Sequence, residues 1–279
     1  MIVHLGSSVG MMGSSHALSG AAVWLGGSLA LDQLADFHQT PLQLAVGTAI
    51  CAGGALLPDL DLSGRVTARR GGATVAQTFG VLSLFLAECV EKFSLGVYKL
   101  TRMKRDPQRR NGHRTLTHTI VFNVGVGYGT LALCNAYGKW AVMGVLFFSF
   151  ALALRGLFEK WAERAGWLIV TLSAAGAAYL VYERLPGDRG YPLLGVAVGV
   201  GGLVHLAGDM LTRHGCPIFW PIPTGRRMWR NIGLPDSIAL VAGNKTETVF
   251  LRTVFATIAI FAGAVLVLPT LLERFNIIG

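Results

Sequence analysis

Seven runs of apolar residues divide the chain, at about 17–35, 41–57, 117–136, 140–156, 166–183, 191–211 and 248–271. A helix of roughly 20 apolar residues is long enough to cross a bilayer. Inside hydrocarbon every backbone N–H and C=O must be paired within the protein, which leaves helices as the form such runs can take. The pattern predicts an all-α, polytopic transmembrane bundle of about seven spans. Composition agrees: 14% of the residues are charged, against roughly 25% in a soluble domain. The 36 glycines suit helices that approach one another closely, and 279 residues suffice for one membrane-embedded domain. Residues 76–98 are apolar too, but they carry Glu88, Glu91 and Lys92, so they form either an amphipathic surface helix or an eighth span.

The net charge of +9 would suggest a nucleic-acid partner in a soluble protein. Here the basic residues collect between spans, where they set orientation, and no specific nucleic-acid partner is expected. Arg65, Arg69 and Arg70 follow the second run, and Lys99, Arg102, Lys104, Arg105, Arg109, Arg110 and Arg114 precede the third. Arg155, Lys160 and Arg164 lie in another loop, and Arg213, Arg226, Arg227, Arg230 and Lys245 in the long segment 213–247. The loop with Asp32 and Asp36 has neither Lys nor Arg, while Arg184 and Arg189 are a mild exception on the outer side. Seven spans with a cytoplasmic N-terminus satisfy this distribution, with a basic cytoplasmic insert at about 62–112 and a second cytoplasmic loop at about 213–247. The first residues lack the basic n-region of a cleavable signal peptide, and Met11 or Met12 is a plausible true start. Cys51, Cys89, Cys134 and Cys216 form no CxxC pair and are expected as free thiols.

Against this apolar background four polar clusters stand out: His16; Asp59 and Asp61; His113 through His118; and His205 with Asp209. Ionisable residues beside membrane spans are rare and mark function. Each cluster falls at the cytoplasmic end of its helix, although the topology is drawn from Lys and Arg alone. His205 and Asp209 are four residues apart and share a helix face. Pro58 ends its helix, and an extended chain beyond it would point Asp59 and Asp61 the same way. Thr115 or Thr117 could cap the next helix and place His118 within its first turn. Four imidazoles with three carboxylates suit zinc, and also manganese or iron, better than calcium. Arg114 has the forked geometry to hold a phosphate. Glu247, at the start of the last run, is a candidate base or a helix N-terminal acid.

Together, Met12-Gly-Ser-Ser-His16, Leu-Leu-Pro58-Asp59-Leu-Asp61, His113-Arg114-Thr-Leu-Thr-His118 and His205-Leu-Ala-Gly-Asp209, followed by Thr212, Gly215 and Pro221, resemble the YdjM family. That family comprises bacterial inner-membrane proteins described as metal-dependent hydrolases, some tied to the LexA regulon. It is regarded as distantly similar to zinc-dependent phospholipase C and the S1/P1 nucleases, which are helical and cleave phosphoesters. The resemblance implies that His16, Asp59, Asp61, His113, His118, His205 and Asp209 hold one or two divalent ions, zinc first among them, with Glu247 near the site. The expected activity is hydrolysis of a phosphoester in a lipid or lipid-linked substrate at the cytoplasmic face. Asp61, Arg114 and Glu247 would act beside the metal, and membrane lipids would be the partners. A divalent-metal or proton transporter would instead want these residues near mid-membrane on broken helices. A lipid phosphatase with a histidine nucleophile would fit the His205–Asp209 spacing but lacks its Pro-Ser-Gly-His partner. A purely structural metal site is the remaining alternative.

Overall fold

The computed structural model describes residues 13–62, 78–184, 192–240, 244 and 246–274. Among these the protein is all helical, with isolated β-bridges and no strand. The helices are α1 (Gly13–Ala35), α2 (Pro41–Gly54), α3 (Val81–Thr101), α4 (Ile120–Tyr137), α5 (Lys139–Leu157), α6 (Glu159–Tyr182), α7 (Pro192–Met210) and α8 (Arg252–Arg274). Two 3-10 turns, Pro58–Asp61 and Leu116–His118, and a π-helical turn, Thr246–Leu251, complete the set. Met11, Met12, Arg65, Arg69, Arg70, Arg189 and Lys245 lie outside the described residues, as does the side chain of Glu247.

Six helical stretches are long and apolar enough to cross a membrane: Pro41–Asp61, Ile120–Tyr137, Lys139–Leu157, Glu159–Tyr182, Leu193–Met210 and Val249–Leu272. The expected seventh, α1, is not among them. Its Gly, Ser and His residues lower its apolarity, and Ser15, His16, Ser19 and Ser28 are buried. They turn inward because α1 packs against α2, α5, α7 and α8. Residues 81–101 do not qualify as a span either. α3 turns Ser83, Ala87, Ser94 and Tyr98 inward and leaves Val81, Leu82, Phe85, Phe93 and Leu100 exposed, which fits the amphipathic expectation. It packs on the two 3-10 turns.

α2 occupies the centre, against α1, α5 and α7, and its Ile50, Cys51 and Ala52 are fully buried. It begins on a capping box, with Thr40 and Gln43 each bonding the other's backbone N–H and Pro41 in the first turn. α4 crosses α7 at bare backbone: a Cβ added to Gly195 would stand 2.5 Å from the Gly127 carbonyl oxygen. Only glycine allows that approach, and it lets α4 and α7 pack closely. The expected loop over 155–165 is mostly helix. α6 begins at Glu159 and breaks at Gly166, whose φ of 78° is accessible to glycine at little cost.

Candidate metal centre

The polar clusters meet where α2 ends, α4 begins and α7 ends. The route after α2 is not the extended chain that would point Asp59 and Asp61 the same way, but a 3-10 turn with Pro58 at its start. Proline's fixed φ suits the first position of such a turn. Three residues per turn send neighbours two apart in different directions, so Asp59 and Asp61 diverge. Asp59 faces His118 and His205, its Oδ1 lying 3.7 Å from both Nε2 atoms. Asp61 turns the other way and is fully buried.

Both Asp61 oxygens are engaged by the HRTLTH segment. His113 Nδ1 lies 2.8 Å from Oδ1, while the Arg114 amide and the Thr117 hydroxyl donate to Oδ2 at 3.1 and 2.6 Å. The segment precedes α4 rather than opening it. His118 closes a 3-10 turn, and the cap of α4 is Thr119, whose hydroxyl accepts from the Phe122 amide. Asn123 donates to the Thr117 and Thr119 carbonyls at 2.8 and 2.9 Å, holding the turn from inside α4. Arg109 grips it from outside through the His113 and Arg114 carbonyls at 3.0 and 3.1 Å.

The hydrogen bonds fix which ring nitrogens are free to act as donors to a metal. His205 Nδ1 lies 2.8 Å from the Ala55 carbonyl, which can only accept, so Nδ1 carries the proton and Nε2 a lone pair. That carbonyl is available because it sits at the terminus of α2. The Thr117 hydroxyl gives its proton to Asp61, so it accepts from His118 Nδ1 at 2.9 Å, leaving the His118 Nε2 lone pair free in the neutral ring. The two Nε2 atoms are 3.3 Å apart. Asp209 Oδ2 lies 3.5 Å from one and 3.7 Å from the other, buried and without a hydrogen-bond partner. Metal bonds of about 2.0–2.2 Å in a tetrahedral set place neighbouring donors roughly 3.3–3.6 Å apart. His118 Nε2, His205 Nε2 and Asp209 Oδ2, at separations of 3.3, 3.5 and 3.7 Å, come close to that spacing, and Asp59 Oδ1 lies 3.7 Å from both Nε2 atoms.

Three overlapping groups could hold an ion: His16, Asp59 and His205; Asp59, His113 and His118; and His118, His205 and Asp209. Six of the seven expected ligands are therefore brought within coordinating range of others. Asp61 belongs to none of the groups and stands behind His113 and His118, the position of a carboxylate that orients ligating imidazoles. His16 stacks on His205 at 3.8 Å between ring centroids, and its Nδ1 is buried without a partner. His118, His205 and Asp209 are sealed from solvent, whereas Asp59 and His113 keep 18% and 23% of their side chains exposed. The opening is on their side.

Arg114 is not free to meet a substrate as expected. Its Nη2 bonds Asp209 Oδ1 at 2.6 Å, and its side chain is 9% exposed. With neutral imidazoles, three carboxylates and one guanidinium leave two negative charges uncompensated in a buried cluster. One divalent ion would balance them, and buried charge is tolerated only when paired. A proton on His118 offsets one of the two. Burial disfavours its charge, but the facing Asp61, Asp59 and Asp209 carboxylates prevail and push its pKa up to about 9.

The segment after α7 folds down beside the site. Trp220 and Trp229 stack at 5.1 Å, and both indole N–H groups donate to the Thr101 hydroxyl at the end of α3, at 3.2 and 3.1 Å. Asp106 accepts from the Met103, Met228 and Trp229 amides. Residues 213–240 are thus clasped to α3 and to the basic insert. Glu247 belongs by its backbone to the turn Thr246–Leu251.

The family model of the YdjM inner membrane protein matches residues 11–270. The chain belongs to this family. No curated protein and no solved structure matches it. Membership accounts for the six apolar spans and the multi-pass membrane architecture. Missed in the sequence are the groups that hold the candidate ligands in place: Asn123, Arg109, the Ala55 carbonyl and the Thr117 hydroxyl, which the sequence offers only as a helix cap. Asn123 carried a signal, as a lone amide in an apolar run. The Ala55 carbonyl carried none, since any residue supplies one.

Proposed function

We propose that this protein is a membrane-bound metal-dependent hydrolase acting on a phosphoester of a lipid or lipid-linked substrate. The observation that carries the reading is the buried, unpartnered Asp209 Oδ2 facing the Nε2 atoms of His118 and His205 at 3.5 and 3.7 Å. His118, His205, Asp209 and Asp59 would hold the ion, with His16 and His113 as further ligands on either side. A bound divalent ion, zinc being the first candidate, supplies Lewis acidity toward a phosphoryl oxygen and lowers the pKa of a water to about 7. Asp61 fixes the rings of His113 and His118. Asp59, on the more exposed side, would face the substrate, and the oxygen it does not turn to the histidines is placed to accept or return a proton there. Asp61 is less suited to that role because both its oxygens are engaged.

Sidedness follows from charge. Arg102, Lys104, Arg105, Arg110, Arg226, Arg227 and Arg230 belong to segments clasped beside the site, and basic segments stay in the cytoplasm. The N-terminus and the metal site are accordingly cytoplasmic, in the inner membrane, and a substrate from the inner leaflet reaches the site with its headgroup. The sealed His118, His205 and Asp209 favour a second reading, a structural ion stapling the bundle. The test is to purify the protein in detergent and measure metal content beside the His205→Ala/Asp209→Ala variant. The zinc-, manganese- or iron-loaded wild type is then screened on phospholipids and soluble phosphoesters. Metal in the wild type alone, with turnover, supports the hydrolase. Metal without turnover on any phosphoester moves the structural reading forward, and no metal even after reconstitution refutes both.

A further inference from the structure

The sequence pattern makes Arg114 the natural phosphate clamp; the structure gives it a different task. Its backbone φ of 56° lies in the left-handed region, where a non-glycine residue is held only by surrounding contacts. Those contacts are present. Its amide donates to Asp61 Oδ2 at 3.1 Å, its carbonyl accepts from Arg109 at 3.1 Å, and its guanidinium bonds Asp209 Oδ1 at 2.6 Å. One residue therefore ties the carboxylate following α2 to the carboxylate near the end of α7. The second Asp209 oxygen is left buried, unpartnered and turned to His118 and His205. A carboxylate at that position could rotate to offer either oxygen, or both; a cation on Oδ1 fixes which one faces the imidazoles.

Resting on the metal reading above, we propose that Arg114 is a positioning residue: it acts through Asp209, presenting one oxygen to the ion, and does not receive the substrate phosphate. Outer partners of this kind typically contribute about 10–100-fold in metal affinity. The guanidinium also offsets one of the cluster's negative charges, so an arginine behind the ligands matches the cluster to a divalent ion.

The experiment uses the full chain in detergent. Zinc affinity is measured by competition with a chromophoric chelator, the cobalt-loaded protein gives an absorption spectrum, and inorganic phosphate is titrated into the cobalt form. Arg114→Gln is expected to weaken zinc about 10–100-fold at unchanged stoichiometry, to alter the cobalt bands, and to leave phosphate affinity as in the wild type. In an Asp209→Ala background the same substitution should cost nothing further, because the carboxylate it acts on is gone. Should Arg114→Gln not fold, Arg114→Lys serves: it keeps the charge, and zinc affinity should fall by less than in the glutamine variant's expected range, with phosphate affinity unchanged. Wild-type zinc affinity and cobalt spectrum together with lost phosphate binding, in either variant, would make Arg114 a substrate clamp and overturn the inference alone. A wild-type chain that takes up neither zinc nor cobalt would overturn it together with the metal reading.

Discussion

Proton and metal compete for the same buried charge, and the competition has a predictable size. The chain's carboxylates raise His118 to about 9, and a metal ligand must be deprotonated. Below that value each pH unit costs one factor of ten in apparent affinity, or about 1.4 kcal/mol. Between pH 6.5 and 8.5 the dissociation constant of zinc should therefore fall roughly seventyfold. An ordinary histidine with a pKa near 6.5 would change it only about twofold over the same interval. The assay is zinc competition against a chelator of known pH dependence, in one detergent, at several pH values. Asp61→Asn removes the first of the charges that raise His118, and its slope should collapse toward the twofold limit. A flat wild-type profile, or an undiminished slope in Asp61→Asn, would refute the electrostatic reasoning. The sign for stability is opposite. In chelated protein the raised pKa of His118 stabilises the fold fully below about pH 6.5, and that contribution is lost as pH rises through about 9. Zinc should thus raise the thermal midpoint most on the alkaline side.

Three further outcomes follow from the packing. Asn123→Leu removes two hydrogen bonds behind the HRTLTH turn without touching a ligand; zinc affinity should drop about 10–100-fold with the stoichiometry kept. Gly195→Val drives a side chain into the Gly127 carbonyl; overpacking of this kind costs on the order of 1–3 kcal/mol or more, read as a lowered thermal midpoint, whereas substitution at Gly144, with open space around it, should be near neutral. Asp106→Ala frees three backbone amides that its carboxylate holds; limited proteolysis should then cut within residues 213–240 sooner than in the wild type.

Much of the architecture is written in local composition. Apolar runs long enough to cross a bilayer must be helices, because hydrocarbon offers backbone groups no other partner, and five of the seven predicted runs recur as spans with boundaries shifted by a few residues while a sixth is extended by its Glu159–Ala165 segment. α1 departs because hydropathy averages a helix over all its faces. Its serines and His16 meet protein, not lipid, and only packing against α2, α5, α7 and α8 decides that. The candidate site divides the same way. Residue type and spacing single out His16, Asp59, Asp61, His113, His118, His205 and Asp209, since imidazoles and carboxylates are conspicuous in an apolar chain. Roles within the cluster depend on directions that spacing does not encode. A 3-10 turn at Pro58 separates Asp59 from Asp61, and a positive φ at Arg114 sends its guanidinium to Asp209. Side-chain identity determined that this chain carries a polar site in a membrane bundle. Hydrogen bonds between residues 53 to 95 positions apart, Asp61 to Arg114 and Arg114 to Asp209, decided which groups can face an ion and which hold them in place.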